Sequence, residues 1–95
     1  MVIGVCKIRL VFHGVFSLKQ KRSLVKKITG RVKSKFAVSI AEVGDNDILQ
    51  SSEVGFCMVG NDRAFVNSCL DKVLNFIDGL FLADIIDQQI EILNL

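Results

Sequence analysis

The sequence contains no proline, no tryptophan and no tyrosine, and it has only one histidine and three cysteines. The histidine, His13, and the widely spaced Cys6, Cys57 and Cys69 do not form the close ligand pairs that structural zinc requires. An odd number of cysteines, each within an apolar segment, also argues against a disulfide framework and predicts reduced, buried thiols. We therefore expect no metal and no cofactor.

Long uncharged segments are absent as well. The longest runs from Leu10 to Leu18, nine residues, whereas a bilayer-spanning helix needs about 20. The first residues lack the basic-then-apolar layout of a secretion signal. With 51% hydrophobic and 23% charged residues in a chain of 95, disorder is excluded and one domain over residues 1–95 is predicted. We expect a cytoplasmic protein with no membrane contact.

Charge of one sign is absent from the first part of the chain, and charge of the other sign is scarce in the second part. Residues 1–41 hold ten lysines and arginines and no acidic residue, whereas residues 42–95 hold all ten acidic residues and two basic ones. The net charge of +2 conceals this division. Such an asymmetry is typical of a chain that recognises its partner electrostatically.

Alternating and helical hydrophobic patterns follow one another in the order β-α-β-β-α-β. The first helix begins with a capping box, Ser17 to Gln20, and Asn61-Asp62 caps the second, which Gly79 ends. The predicted strands are 2–12, 36–43, 53–59 and 83–93, and the first helix is 18–35. This order predicts an α+β, ferredoxin-like sandwich, in which two helices cover one face of a four-stranded antiparallel sheet.

The uncovered face of the predicted sheet is unusually apolar. Lys7 and Arg9 of the first strand are expected beside Asp87 and Glu91 of the last one, where opposite charges stabilise strand pairing. The predicted apolar residues of this face are Ile3, Val5, Val11, Ala37, Ala41, Val43, Cys57, Val59, Ile85 and Leu93. Because such a face rarely stays wet on a monomer, we predict a homodimer formed through it; coverage by loops or by the C-terminus is the alternative.

The first helix carries eight basic residues and no acidic one. Like charges three and four residues apart weaken a helix by about 0.2–0.5 kcal/mol per pair, so the cluster favours an anionic partner. Gly30 lies within it, costs about 1 kcal/mol in a helix interior, and would let a phosphate backbone approach closely. The residues predicted to contact the partner are Lys19, Lys21, Arg22, Lys26, Lys27, Arg31 and Lys33. A solvated helix face, with Gly30 easing a bend or a packing contact, is the alternative.

The partner predicted from this cluster is structured RNA or the ribosome, or else an acidic protein. RNA binders of the RRM type stack bases on exposed aromatic residues of the sheet. Here the phenylalanines of the predicted strands, Phe12, Phe36 and Phe56, fall mostly on positions that face the helices. Any RNA contact should therefore be made mainly to phosphates and should weaken strongly as salt rises.

No catalytic site is predicted. His13 and Ser17 lie close together, but no acidic residue near them in sequence completes a Ser-His-acid triad. The segment 13–16 also lacks the glycine-rich loop with an adjoining arginine that acylphosphatases of this size use. Asp45-Asn46-Asp47 lacks the spacing of an EF-hand and indicates an acidic hairpin loop. We expect a non-enzymatic binding module; the alternative, from fold analogy alone, is a homodimeric ACT-like module that binds a small ligand.

Three segments resemble a known family. They are SLKQKR at residues 17–22, FAVSIAEV at residues 36–43, and EVGFCMV at residues 53–59 followed by NDRA at residues 61–64. In order and spacing they are similar to the YlxP-like family of small bacterial proteins, and the match extends over essentially the whole chain. The resemblance implies a ferredoxin-like fold and no established activity. Family members are often encoded beside genes for translation and ribosome maturation.

Overall fold

The computed structural model describes residues 1–95 and contains four strands and two helices. They are β1 (Val2–Val11), α1 (Leu18–Lys35), β2 (Ser39–Gly44), β3 (Ser51–Gly60), α2 (Arg63–Asp78) and β4 (Asp84–Asn94). The sheet has the order β2-β3-β1-β4 with every neighbouring pair antiparallel. The predicted ferredoxin-like α+β fold is confirmed. Neither helix combines the length and the apolar character needed to cross a membrane.

The core lies between the sheet and the two helices. Alternate residues of β1 point into it and are buried, as the period of two predicts. From the helices it receives Val25, Ile28 and Val32 of α1 and Val66, Leu70, Val73 and Ile77 of α2. Each buried side chain of this size contributes about 1.5–3 kcal/mol. Gly4 is required on this face, because a Cβ there would lie 2.5 Å from Cγ1 of Val66.

The start of α1 is fixed by the predicted cap. The hydroxyl oxygen of Ser17 accepts a hydrogen bond from the backbone N–H of Gln20 at 3.1 Å. The side-chain oxygen of Gln20 in turn accepts from the backbone N–H of Phe16 at 2.8 Å, one residue before the usual partner. The helix ends at Lys35 because Phe36 adopts an extended conformation with φ of −124°.

Two strand predictions are wrong in detail. The register between β1 and β4 shifts between Arg9 and Leu10, so that Leu10 lies opposite Ile85. This irregularity turns Ile85 towards the core, where it packs against buried residues, and leaves Ile86 58% exposed. Strict alternation predicts Ile85 on the uncovered face and Ile86 towards the helices, because it cannot anticipate a bulge. Strand β2 also begins at Ser39 rather than at Phe36.

The three cysteines are free thiols, but only one of them is buried as predicted. Cys6 lies in the core, whereas Cys57 and Cys69 are half-buried. Burial raises the pKa of the Cys6 thiol to about 11, with a smaller contribution from the negative charge of Asp71. This thiol is therefore protonated at neutral pH and packs as a small apolar side chain.

Candidate nucleic-acid interface

The outward surface of α1 is a band of positive charge that the rest of the molecule leaves largely unneutralised. Two of the eight basic side chains of α1 form ion pairs, Lys21 with Glu42 at 3.3 Å and Arg22 with Asp47 at 4.0 Å. No carboxylate lies within 4.0 Å of the charged groups of the other six. These six residues are Lys19, Lys26, Lys27, Arg31, Lys33 and Lys35.

One row of cations borders a groove between α1 and the edge strand β2. Arg22, Lys26 and Lys33 lie on its helix side, and the groove has a volume of about 640 Å³. Val25, Ile40 and Ala41 contribute its apolar lining, and Ser23, Thr29 and Glu42 its other polar groups. Lys19 extends the same row towards the start of the helix, since residues three and seven apart share a helix face. The row therefore covers nearly the full length of α1.

The second row lies on the flank of α1 that faces α2. Lys27, Arg31 and Lys35 follow one another at steps of four, which places them along one line of the helix. The ammonium group of Lys35 lies 4.8 Å from the centre of the Phe76 ring of α2, a cation–π distance. Lys35 is thus engaged within the subunit, whereas Lys27 and Arg31 remain directed outwards.

Between the two rows, the crest of the helix is bare at Gly30. A Cβ built on this residue would meet no atom within 4 Å, so no packing contact requires glycine. Helical spacing makes Lys26, Lys27 and Lys33 its neighbours on the surface. The hydroxyl of Ser34 donates to the Gly30 carbonyl at 3.0 Å, so this carbonyl is already hydrogen-bonded. The explanation that Gly30 is needed for a packing contact is therefore excluded. The crest, which three lysines surround, is open to the backbone of a ligand.

Lys21 does not belong to this surface, and its prediction as a contact residue is wrong. Its side chain is only 1% exposed. The ammonium group pairs with Glu42 and donates a hydrogen bond to the backbone carbonyl of Asp45. Glu42 in turn accepts a hydrogen bond from the buried hydroxyl of Ser52 at 2.5 Å. Lys21 therefore anchors α1 to the end of β2, a role that its charge alone could not reveal.

Arg9 completes this anchor on the other side of the sheet. Its guanidinium group forms ion pairs with Asp45 and, at 2.6 Å, with Glu53, which lies directly opposite it on β3. From the sequence, Lys7 and Arg9 were expected beside the acidic residues of the last strand. The pairing of β1 with β4 is as predicted, but the ion pairs of Arg9 go to Asp45 and Glu53 instead. A hydrogen bond from Ser51 lowers the pKa of the Asp45 carboxyl, and the charges of Arg9 and Lys21 add to the effect.

Asp45 joins both halves of this anchor. Its carboxylate binds Arg9 and its carbonyl binds Lys21, an arrangement that uses a left-handed backbone conformation with φ of 56°. An aspartate tolerates this region better than most residues. The acidic loop is therefore structural. Two sequence features could have identified it: an arginine and a glutamate on adjacent strands, and an Asp-Asn-Asp turn after the second strand.

The surroundings of His13 do not form a nucleophilic site. Its Nε2 atom lies 2.7 Å from the carboxylate of Asp84, an acidic partner that the sequence analysis did not identify. No hydrogen bond joins His13 to Ser17, whose hydroxyl oxygen caps α1. In addition, no three His, Cys, Asp or Glu side chains come together in a group that could hold a metal ion. The electrostatic feature that stands out is the basic surface of α1.

Comparison with known proteins gives a family match, a similar bacterial protein and solved structures of similar fold. A family model described as "Protein of unknown function (DUF503)" matches residues 3–90. A protein of Bacillus subtilis (strain 168), "Uncharacterized protein YlxP", is 38% identical over 78 residues, which cover 82% of this chain and 85% of that protein.

Both structural similarities extend over almost the entire chain. The de novo designed protein Foldit4 has a TM-score of 0.52 and 15% identity, covering 99% of this chain and 97% of that one. At3g17210 from Arabidopsis thaliana has a TM-score of 0.51 and 12% identity, covering 98% and 94%. At these identities the likeness shows the fold alone.

Proposed function

The chain belongs to the DUF503 family of proteins of unknown function, and we propose that it is a non-enzymatic protein that binds structured RNA through α1. The observation that carries this proposal is a set of five α1 cations that have neither a carboxylate nor an aromatic partner within the subunit and that lie along the surface with the bare crest at Gly30. These five are Lys19, Lys26, Lys27, Arg31 and Lys33. In the proposed complex the phosphate backbone crosses this crest. Lys19, Arg22, Lys26 and Lys33 flank it on one side, and Lys27 and Arg31 flank it on the other.

The energetics of the isolated subunit favour a ligand at this place. Repulsion between like charges along α1 costs about 0.2–0.5 kcal/mol per neighbouring pair, and the glycine costs about 1 kcal/mol more. Contacts of Lys21, Arg22 and Lys35 offset part of the repulsion. No contact within the subunit offsets it among the other five cations, and none compensates for the glycine. A polyanion offsets the repulsion, because each phosphate that it places between two lysines interacts favourably with both.

The proposed contact reads the shape and charge of the RNA backbone. Phe12 and Phe56 are buried under the helices and Phe36 is half-buried. The open face of the sheet therefore offers no aromatic platform for successive bases. The narrow major groove of double-stranded RNA does not admit an α-helix, so contacts are expected along phosphates and across the shallow minor groove.

The direct test measures the affinity of the purified protein for a hairpin RNA at several salt concentrations. Each phosphate contact contributes about 0.7–0.9 to the slope of log K against log salt. Lys26→Glu/Lys33→Glu should reduce that slope by about 2 and abolish retention of RNA at moderate salt. Adding Lys27→Glu should remove the remaining binding without unfolding the domain.

A matched control separates this interface from an effect of net charge. Lys35→Glu/Lys72→Glu changes the charge by the same amount, but Lys35 faces Phe76 and Lys72 lies on α2. This control should retain most of the RNA affinity. Equal losses in both double variants, or wild-type binding that ignores salt, would contradict the proposal. A thermal shift with amino acids in a protein that retains no RNA would instead support the ligand-binding alternative.

We also propose that the protein forms a homodimer through the open face of the sheet. Val5, Val43, Val59 and Leu93 are all at least 38% exposed there. Lys7 on β1 has no ion-pair partner within the subunit. Asp87 and Glu91 of β4 likewise have none, and the strand register places all three on this face. A second copy related by a twofold axis supplies opposite charges and apolar contacts at once.

The oligomeric state in solution tests this second proposal. Light scattering after gel filtration should give twice the mass of the chain, and Val59→Lys should give a folded monomer. A folded control, Phe65→Lys on α2, should remain dimeric, because Phe65 is 57% exposed but lies on the helix side. A wild-type monomer at the concentrations used for RNA binding would contradict the dimer and leave the RNA proposal intact.

A further inference from the structure

Phe16 is exposed at the start of the basic helix, where an aromatic side chain would normally be covered. It is 80% exposed, although phenylalanine is among the residues most often buried in folded proteins. Its backbone is nonetheless held in place, because its N–H donates to the side chain of Gln20 at 2.8 Å. The chain therefore presents a large aromatic ring to solvent from a hydrogen-bonded backbone position.

The reason for this exposure lies in the sequence of the helix start. A hydrophobic residue just before the N-cap usually packs against the fourth helical residue and forms a hydrophobic staple. Here the N-cap is Ser17, so the fourth helical position is Lys21. Lys21 points away to Glu42 and to the carbonyl of Asp45, and it offers no apolar side chain to cover Phe16. The residue that anchors α1 to the sheet is thus the reason why Phe16 remains uncovered.

A depression with free polar groups adjoins the backbone of Phe16, since its lining includes the two chain neighbours Val15 and Ser17. Its volume is about 480 Å³, within the range of about 300–1,000 Å³ typical of ligand pockets. It is lined by His13, Ser17, Lys19, Gln20 and Ser23, among others. Several of these have hydrogen-bonding capacity left over, because the side-chain nitrogen Nε2 of Gln20, Nδ1 of His13 and the hydroxyl of Ser23 make no hydrogen bond within the subunit.

This depression is continuous with the proposed phosphate-binding row. Lys19 lines it and also begins the row that continues through Arg22 and Lys26 along α1. An RNA backbone bound on that row therefore arrives beside Phe16. Unpaired bases can turn out of the helix and stack on aromatic side chains while their edges accept hydrogen bonds, whereas paired bases cannot.

We propose that Phe16 and this depression bind one unpaired base of the RNA, so that the preferred substrate is a duplex interrupted by an unpaired nucleotide. This inference rests on the proposed function and narrows it to a class of RNA. The phosphates of the adjoining duplex bind along α1, and the extruded base stacks on the Phe16 ring with its edge towards Gln20 and Ser23. The same end of the molecule carries a second exposed aromatic, Phe81, but Asp84 borders the hollow that it lines with His13.

The test compares two hairpins with the same stem, one fully paired and one with a single bulged nucleotide at mid-stem. The bulged nucleotide is a fluorescent purine analogue. Wild-type protein should bind the bulged hairpin about tenfold more tightly than the fully paired one and quench the analogue by stacking. Phe16→Leu should remove both the preference and the quenching, and leave affinity for the paired hairpin unchanged. Phe16→Trp should restore them, because stacking requires an aromatic ring rather than apolar surface alone.

Control variants make each outcome decisive. Melting temperatures of the Phe16 variants should match that of the wild type, because the ring makes no core contact. Phe81→Leu should keep the preference, since the carboxylate of Asp84 repels RNA phosphates. Equal affinities of the wild type for both hairpins, or a preference that survives Phe16→Leu, would overturn this inference. If that binding still weakened with salt, the proposal that α1 binds RNA would stand. If the wild-type protein bound neither hairpin, the proposed function itself would be overturned.

Discussion

Lys21 and Lys26 lie five residues apart on the same helix, carry the same charge, and do opposite things. Lys21 is buried and paired with Glu42, whereas Lys26 borders an open groove and has no carboxylate partner. The first stabilises the attachment of α1 to β2, and the second destabilises the helix by repelling its neighbours. The contrast shows that a count of positive charges mixes cations that hold the fold together with cations that are free to bind.

The same contrast extends to the acidic half of the chain. Asp45 and Glu53 pair with Arg9, and Glu42 pairs with Lys21, so these carboxylates neutralise one cation of β1 and the buried cation of α1. Except for Asp47, 4.0 Å from Arg22, no carboxylate pairs with the cations along the outer side of α1. The uneven charge distribution of the sequence therefore survives folding on one surface and is neutralised on another.

The largest expected effect is the loss of stability when the buried cation is removed. Lys21→Met should lower the free energy of unfolding by about 3 kcal/mol, because it leaves Glu42 half-buried without its counter-charge. Lys26→Met, the matched exposed change, should alter it by no more than about 0.5 kcal/mol. Urea denaturation monitored by circular dichroism measures both values. Adding Glu42→Gln to Lys21→Met should recover part of the loss; stability of Lys21→Met close to wild type would contradict the anchor.

A smaller effect on stability is expected at Gly30, on the exposed surface of α1. Gly30→Ala should stabilise the protein by about 1 kcal/mol, because alanine favours the helix and its methyl group meets no neighbour. The same substitution should weaken RNA binding, since the added Cβ holds the phosphate backbone away from the crest. Denaturation and RNA titration on one preparation measure the two changes. A more stable variant with unchanged affinity would show that the RNA does not cross at Gly30.

The smallest expected effect concerns acid stability. Because the pKa of Asp45 is lower in the folded protein than its ordinary value of 3.8, its ionised form contributes stability above that pH. This contribution is lost as the pH falls through the folded pKa. Wild-type stability should therefore decline more steeply below pH 3.8 than that of Asp45→Asn, as measured by urea midpoints across the acid range. Parallel declines would contradict the role assigned to this carboxylate.

The sequence predicted the architecture well because the fold depends on patterns that repeat. Alternating positions in β1 and helical spacing in α1 and α2 each involve many residues, so a single exception does not disturb them. The capping residues Ser17 and Asp62 also act locally, and both were identified correctly. The bulge that exchanges Ile85 and Ile86 was missed, because it depends on how β4 pairs with β1 rather than on β4 alone.

The candidate site was predictable only in part, for a similar reason. Helical spacing locates the cations on α1, but it does not tell which of them meets a carboxylate from a distant strand. Lys21 finds its partner on β2, and Arg9 finds one of its partners in the loop that follows β2. The exposure of Phe16 follows from the orientation of Lys21, so it too could be recognised only after the tertiary contacts were known.

The central claim is that the outer side of α1 binds RNA while Lys21 belongs to the fold, and lysine footprinting tests it most directly. Limited acetylation followed by mass spectrometry, with and without hairpin RNA, reports the accessibility of each lysine. We expect RNA to protect Lys19, Lys26, Lys27 and Lys33 and to leave Lys72 reactive. Lys21 should be unreactive with and without RNA. Protection spread equally over Lys72 and α1, or a Lys21 that reacts freely without RNA, would contradict the account.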